Sequence, residues 1–335
     1  MAHFYSVIIP VYNRPDEIDE LLASLQRQTS PGIFEVIIVE DGSTVPCRAQ
    51  AEKYAAAGMD VKYFFKENEG RSIARNYGLE RARGDYFIFF DSDCVIPAGY
   101  FAKLSRMQGA MPFDCFGGPD AADVSFSDTQ KAINHAMTSF LTTGGIRGGK
   151  ISLEKFTPRT FNMGYSRQVY DTVGGFREMF SEDIDMSTRI RLGGFTIGLY
   201  PELPVYHKRR VDFRKFARQV YVFGMSRITL KLLYPDTMKI VHLLPAAFLA
   251  GSICLIVMGI ISSPWWLMPL AVYLAAIFIA ALAATQSAKI ALLAVPASLI
   301  QLYGYGWGFI KAWFTKIILR RGRDINEEIS LRKGK

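Results

Sequence analysis

Three apolar blocks, residues 243–261, 265–284 and 290–310, follow one another almost without charge. Each is about as long as the roughly 20 residues that a helix needs to cross a bilayer. Before residue 240 the chain instead mixes short apolar runs with charged stretches at ordinary globular density. A chain of 335 residues also exceeds the usual size of one domain, so a soluble region followed by a membrane region is expected. Trp265, Trp266, Tyr303, Tyr305 and Trp307 are candidates for interfacial anchors. The apolar run at residues 7–11 is too short for a signal peptide, so the N-terminal region is expected in the cytoplasm of a multi-pass inner-membrane protein. Three full spans would then leave the basic tail outside, against the positive-inside tendency. Two or four crossings with one segment tilted or re-entrant, or an exceptional tail, are the open alternatives.

The net charge of +8 is concentrated beside the apolar blocks, at Lys208, Arg209, Arg210, Arg214, Lys215 and Arg218 and in the tail at Arg320, Arg321 and Arg323. That placement points to anionic lipid headgroups. No aromatic-basic motif accompanies the charge, so nucleic acid is not an expected partner. Cys47, Cys94, Cys115 and Cys254 are scattered and form no CxxC pair, which indicates neither a zinc site nor a disulfide framework.

The soluble part alternates strand and helix. Strands are predicted at 7–11, 35–39, 61–65 and 86–90, and helices at 17–27, 46–57 and 72–83. Such alternation predicts an α/β fold with a mostly parallel sheet, with function at the carboxyl ends of its strands. Beyond Pro97 the regularity weakens, with helices predicted at 129–141, 166–173 and 184–192 and a glycine-rich stretch around Gly144–Gly149 that suggests mobile connections. Residues 215–233 place Phe216, Val220, Phe223 and Ile228 among Arg218, Arg227 and Lys231, the pattern of an amphipathic helix on a membrane surface, or of a helix packed at the domain edge. The expected map is a catalytic domain at 1–210, an interfacial helix at 211–239, a transmembrane region at 240–319 and a basic tail at 320–335.

Asp91-Ser92-Asp93 leaves the most apolar strand at its carboxyl end, where two carboxylates can face a divalent cation and a diphosphate. Asp41-Gly42 leaves the 35–39 strand, where a carboxylate can meet a nucleobase or ribose, although aspartate also serves there as a turn residue. The stretch from Asn68 to Asn76, with Gly70, Arg71 and Arg75, joins a strand to a helix and either lines a phosphorylated ligand or caps the helix. Glu182-Asp183-Ile184-Asp185 follows the turn Gly174-Gly175-Phe176 and offers a carboxylate for proton abstraction, with an acidic first turn as the plainer alternative. His207, between an apolar strand and a basic run, can complete a coordination shell begun by Asp93.

Taken together, Val7-Ile8-Ile9-Pro10-Val11-Tyr12-Asn13, Asp41-Gly42-Ser43, Asn68 to Asn76, Asp91-Ser92-Asp93, Gly174-Gly175-Phe176, Glu182-Asp183 and His207 resemble family 2 glycosyltransferases of the GT-A fold over about residues 4–210. The resemblance implies an inverting transferase using a divalent metal, Mg2+ or Mn2+, and a nucleotide-sugar donor, a UDP-sugar being favoured. It places Pro10, Tyr12, Asp41, Arg75 and Asp91 at the donor and Asp93 and His207 on the metal. Asp183 becomes the base, with Asn162, Met163 and Glu182 toward the acceptor. Gln219 is not followed by the Arg-Trp of processive synthases, so a lipid-linked or other envelope glycan is the expected acceptor. Direct transfer to polyprenyl phosphate, with Arg147 and Lys150 on the phosphate, and a non-catalytic nucleotide-binding membrane scaffold are the alternatives.

Overall fold

A computed structural model describes residues 3–28, 34–121, 126–144, 156–208 and 212–322. Arg147, Lys150, Arg209, Arg210, Arg323 and most of the basic tail lie outside the described residues. The chain opens with β1 (Tyr5–Val11), α1 (Pro15–Gln26), β2 (Phe34–Asp41), α2 (Arg48–Ala56), β3 (Val61–Lys66), α3 (Arg71–Leu79) and β4 (Tyr86–Phe89). It continues through β5 (Cys94–Val95), α4 (Tyr100–Ala110), β6 (Cys115–Gly117), β7 (Asp120–Ala121), α5 (Asp128–Thr138), α6 (Phe140–Thr143), β8 (Met163–Ser166), α7 (Arg167–Val173) and α8 (Glu182–Leu192). The last elements are β9 (Ile197–Leu199), β10 (Val205–His207), α9 (Phe213–Leu233), α10 (Leu244–Ile261), α11 (Met268–Thr285) and α12 (Ala288–Trp313).

Two compact units result, residues 1–123 with 155–208 and residues 124–154 with 209–335. A single linear boundary at 210 therefore does not describe them, because α5 and α6 belong with the C-terminal helices.

In the first unit a seven-stranded sheet has the order β3-β2-β1-β4-β8-β6-β9. β8 pairs antiparallel with both neighbours and all other pairings are parallel. The period-2 alternation of the strands splits their side chains between two cores. Val7, Ile9, Val36 and Ile38 pack on one face with Ile18, Leu21, Leu22 and Leu25 of α1, while Ile8, Ile37 and Val39 pack on the other. Proline at the start of α1 and the acidic Asp16 and Glu17 in its first turn suit a helix N-terminus. A three-stranded sheet, β5-β10-β7, stands beside the carboxyl end of β4.

Glu35 is a buried carboxylate that locks this sheet. It accepts hydrogen bonds from Ser6 Oγ (2.7 Å), Lys62 Nζ (2.8 Å) and Arg83 N (2.7 Å) and Nε (2.9 Å). Burial alone would raise its pKa, but these donors outweigh it and hold the group at about 2. Because the folded pKa lies below the ordinary 4.5, the stabilisation is complete above that value and fades as pH falls toward about 2. Glu35→Gln is therefore expected to cost about 1–3 kcal/mol at neutral pH. The gap from wild type should close in acid, as read by thermal unfolding in detergent across a pH series.

In the second unit, α10, α11 with the turn before it, and α12 with its extension form three helices, Leu244–Ile261, Pro264–Thr285 and Ala288–Ile318, long and apolar enough to cross a membrane. α9 packs along α12 through glycines: a Cβ on Gly224 would lie 2.1 Å from Tyr305 O, and one on Gly308 would lie 2.1 Å from Tyr221 O. Small residues let helix backbones approach this closely. The buried stripe Phe216, Val220 and Ile228 is thus met by protein instead of being left open for lipid. Arg227, expected on the polar face of α9, is buried and donates to Thr237 O at 2.9 Å.

Candidate functional site

The carboxyl ends of β1, β2 and β4 lie side by side, so the residues that follow each strand meet at one edge. Pro10 pairs with Val39 in the ladder, and Tyr12, half exposed, follows β1 directly. Asn13 adopts a left-handed conformation (φ 52°) and its side-chain oxygen accepts from Thr44 N (2.8 Å) and Val45 N (3.0 Å). This clamp fixes the loops after β1 and β2 against each other. Asp41 is buried and already well bonded. Its oxygens accept from Lys66 Nζ (2.9 Å), Glu69 N (3.0 Å) and Gly70 N (2.8 Å), so it shapes the loop entering α3 as well as facing the strand ends.

Asp91 and Asp93 follow β4. Asp93 Oδ1 lies 3.2 Å from His207 Nε2, and its Oδ2 accepts from Arg14 Nη1 at 2.8 Å. The His207 ring stacks on Phe161 with centroids 4.8 Å apart. Asp93, Cys94 and His207 each offer a donor atom within 4.8 Å of the others, and no other three His, Cys, Asp or Glu side chains gather in this way among the described residues. A carboxylate oxygen and an imidazole nitrogen suit Mn2+ well and Mg2+ less well, since magnesium prefers oxygen alone.

Arg75 links this edge to α8. It is fully buried, with Nη2 bonded to Asp91 Oδ1 (2.7 Å) and Nη1 to Glu182 Oε1 (2.9 Å), and Arg71 adds a bond to Glu182 Oε2 (2.9 Å). Burial works to raise the Glu182 pKa, yet the two guanidiniums outweigh it and hold the group ionised below the usual carboxylate range. Arg75 is thus enclosed between Asp91 and Glu182, and Glu182 is buried against Arg71 and Arg75 at the start of α8.

Three acidic residues open α8, and burial separates them. Asp185 is wholly buried and bonded to Arg177 (3.3 Å) and Arg189 (2.9 Å), which also holds Val173 O and Gly175 O. Asp183 keeps 15% of its side chain exposed, paired with Arg159 at 3.3 Å. Ser181, immediately before α8, sits in the left-handed region at φ 61°, a conformation uncommon for a residue with a side chain.

Asn162 and Met163, expected toward the acceptor, lie in the interior. The Asn162 amide donates to Leu203 O (2.8 Å) and accepts from Tyr100 Oη (2.7 Å), and Met163 begins the buried strand β8. Asn76 is likewise structural, bonding both N and O of Phe176. Arg14 and Cys94 are residues of the site not anticipated from the sequence; the signal for Arg14 was its place after a strand that neighbours β4.

The model of the glycosyl transferase family 2 domain matches residues 6–174, half of the chain. The chain belongs to this family. The matched region holds the strand ends carrying Asp41, Asp91 and Asp93. AglE, a glycosyltransferase of Haloferax volcanii, is 24% identical over 242 residues, covering 69% of this chain and 78% of AglE. EpsJ of Bacillus subtilis, an uncharacterized glycosyltransferase, is 35% identical over 117 residues, covering 35% of this chain and 34% of EpsJ. The chain thus spans about a third of EpsJ, and 30% of EpsH from the same organism. Among solved structures, the mannosyltransferase PcManGT of Pyrobaculum calidifontis, in complex with GDP-Man and Mn2+, superposes with a TM-score of 0.56 at 18% identity, over 96% of this chain and 88% of its own. Residues 1–349 of TarS from S. aureus, in complex with UDP-GlcNAc, give 0.51 at 22% identity, over 92% and 91%. These likenesses establish a shared GT-A-type fold.

Proposed function

We propose that this family 2 member is an inverting glycosyltransferase, held at the cell inner membrane by its apolar helices with its catalytic unit in the cytoplasm. It moves one sugar from a nucleoside-diphosphate donor to a lipid-linked or envelope glycan. The observation that carries the reading is the bridge made by Arg75, whose guanidinium bonds both Asp91 and Glu182. Through it the strand-end carboxylates of the donor side are tied to the residue immediately before Asp183. Pro10, Tyr12, Asp41 and Asp91 line the donor edge, with Asp41 also holding the loop beneath it.

A divalent cation held by Asp93 and His207 would neutralise the diphosphate and stabilise it as a leaving group. The acceptor hydroxyl oxygen attacks the anomeric carbon from the face opposite the diphosphate. As the new C–O bond forms, Asp183 takes the hydroxyl proton, and the bond to the nucleoside diphosphate breaks with its electron pair leaving on the phosphate oxygen. Arg14 donates to Asp93 Oδ2 at 2.8 Å, beside the position that metal would take. Its bond to Asp93 balances that carboxylate's charge.

The test is a thermal-shift screen of the full-length protein in detergent with UDP-sugars and GDP-sugars, each with Mn2+, with Mg2+ and with chelator. The two nucleotide classes found with the neighbouring structures make these the first donors to try. At a ligand concentration about 100 times Kd, binding to the native state contributes about 2.7 kcal/mol, a readily measured shift. A shift confined to one nucleotide with Mn2+ is expected, followed by transfer of radiolabelled sugar into the lipid extract. Equal shifts in chelator would overturn the metal assignment, and no shift with any donor would overturn the reading.

A further inference from the structure

We propose that Cys94 supplies a third ligand, beside Asp93 and His207, to the cation site of the reading above, giving that site a preference for thiophilic divalent cations over Mg2+. Strand pairing makes the juxtaposition. β10 runs antiparallel to β5 with His207 directly opposite Cys94. Residues directly opposite on antiparallel strands project to the same face, so the thiol and the imidazole are neighbours by construction. The turn before β5, closed by Cys94 N donating to Asp91 O at 3.1 Å, brings Asp93 to the same point. The carboxylate oxygen, Sγ and imidazole nitrogen then fall within 4.8 Å of one another. With metal–ligand bonds of about 2.0–2.3 Å, two ligand atoms on opposite sides of one ion stand about 4–4.6 Å apart, so a small closure brings all three into bonding range.

The sulfur is the most buried of the three donors, since Cys94 is 1% exposed whereas the Asp93 and His207 side chains are 15% and 16% exposed. A cation arriving past Asp93 and His207 would therefore meet the sulfur last. Cys94 Sγ now donates its proton to Phe161 O at 3.6 Å, and the Phe161 ring holds the imidazole plane. On ligation the S–H bond breaks, its proton leaves to solvent, and the sulfur's electron pair forms the bond to the cation. A thiolate is a soft donor that Mg2+ binds poorly and Zn2+, Cd2+ or Co2+ bind well.

Cobalt tests this on the full-length protein in detergent, because sulfur ligation produces a near-ultraviolet charge-transfer band that oxygen and nitrogen ligation do not. Wild type should develop the band on titration with Co2+, and Cys94→Ser should bind Co2+ without it. Calorimetry should show Cd2+ affinity falling about 10-fold or more in Cys94→Ser, at least the loss that follows damage to a metal's surroundings, with Mg2+ affinity unchanged. His207→Ala, which keeps the thiol, should weaken Co2+ binding and the band together. The wild-type spectrum needs no variant to fold, and circular dichroism checks those that are made. Co2+ binding without the band in wild type, or a band that survives Cys94→Ser, would overturn Cys94 as a ligand while leaving the Asp93–His207 site intact. Failure of wild type to bind any divalent cation would overturn both.

Discussion

Asp93→Ala is expected to reduce transfer by about 1,000-fold or more, because a bound cation contributes several kcal/mol of charge stabilisation and each 1.4 kcal/mol is a factor of ten. The side chain is placed for that role and contributes little packing. It lies partly exposed between His207 and Arg14, and the neighbouring strand pairing also uses its main chain, whose carbonyl accepts from Lys208 N at 3.0 Å. The fold should therefore survive the change, with a melting temperature in the absence of ligand close to that of wild type. The Mn2+-dependent shift with nucleotide sugar should disappear. A variant that loses activity yet keeps this shift would remove Asp93 from the cation site, and full wild-type turnover in chelator would do the same.

Most of the first sheet was legible because its residues repeat with the right periods. Residues 7–9 and 36–39 are β-branched runs, and each precedes a stretch with apolar residues at helical spacing, so β1 to β4 and α1 to α3 follow from the pattern. The strands on the other side of β4 were not legible. β6, β8 and β9 have three or four residues each and contain glycine where a neighbour's ring must lie. A Cβ on Gly164 would stand 2.3 Å from Phe116 Cζ, and one on Gly198 would stand 2.0 Å from Phe113 Cε2. Packing of that kind replaces the alternation by which a strand is read, so β6, β8 and β9 leave no period-2 pattern in the sequence.

The site divides along the same line. Asp91, Asp93 and His207 could be picked out because each stands at the end of an apolar run, a property local in sequence. The burial of Asn162 depends on Tyr100 and Leu203, and the pairing of Arg14 with Asp93 depends on β1 lying next to β4. Neither dependence leaves a mark on the residue itself. The loop of Arg75 leaves its role open, and whether an arginine touches ligand or supports a carboxylate that does is decided by depth. Arg75 is fully buried between Asp91 and Glu182, which fits the second role.

Depth also distinguishes the carboxylates of Glu182-Asp183-Ile184-Asp185 as candidates for the proposed base. A sugar hydroxyl is a weak nucleophile at neutral pH, so a carboxylate within hydrogen-bond reach must take its proton as the new bond forms. Glu182 is held by Arg71 and Arg75, and Asp185 is sealed from solvent between Arg177 and Arg189. Asp183 keeps an exposed fraction; its Oδ2 pairs with Arg159 at 3.3 Å and its Oδ1 accepts from the adjacent Ile184 N at 2.8 Å. Asp183→Asn keeps that geometry and removes the basic oxygen, so donor affinity should be preserved while transfer falls by about 100-fold or more. Asp185→Asn should behave differently, lowering the melting temperature by leaving two arginines short of a partner and reducing binding and turnover together. Kinetics with a lipid-linked acceptor, set beside donor thermal shifts for both variants, separates the two patterns. Near-normal transfer by Asp183→Asn, with Asp185→Asn inactive but stable and still binding donor, would move the base to Asp185.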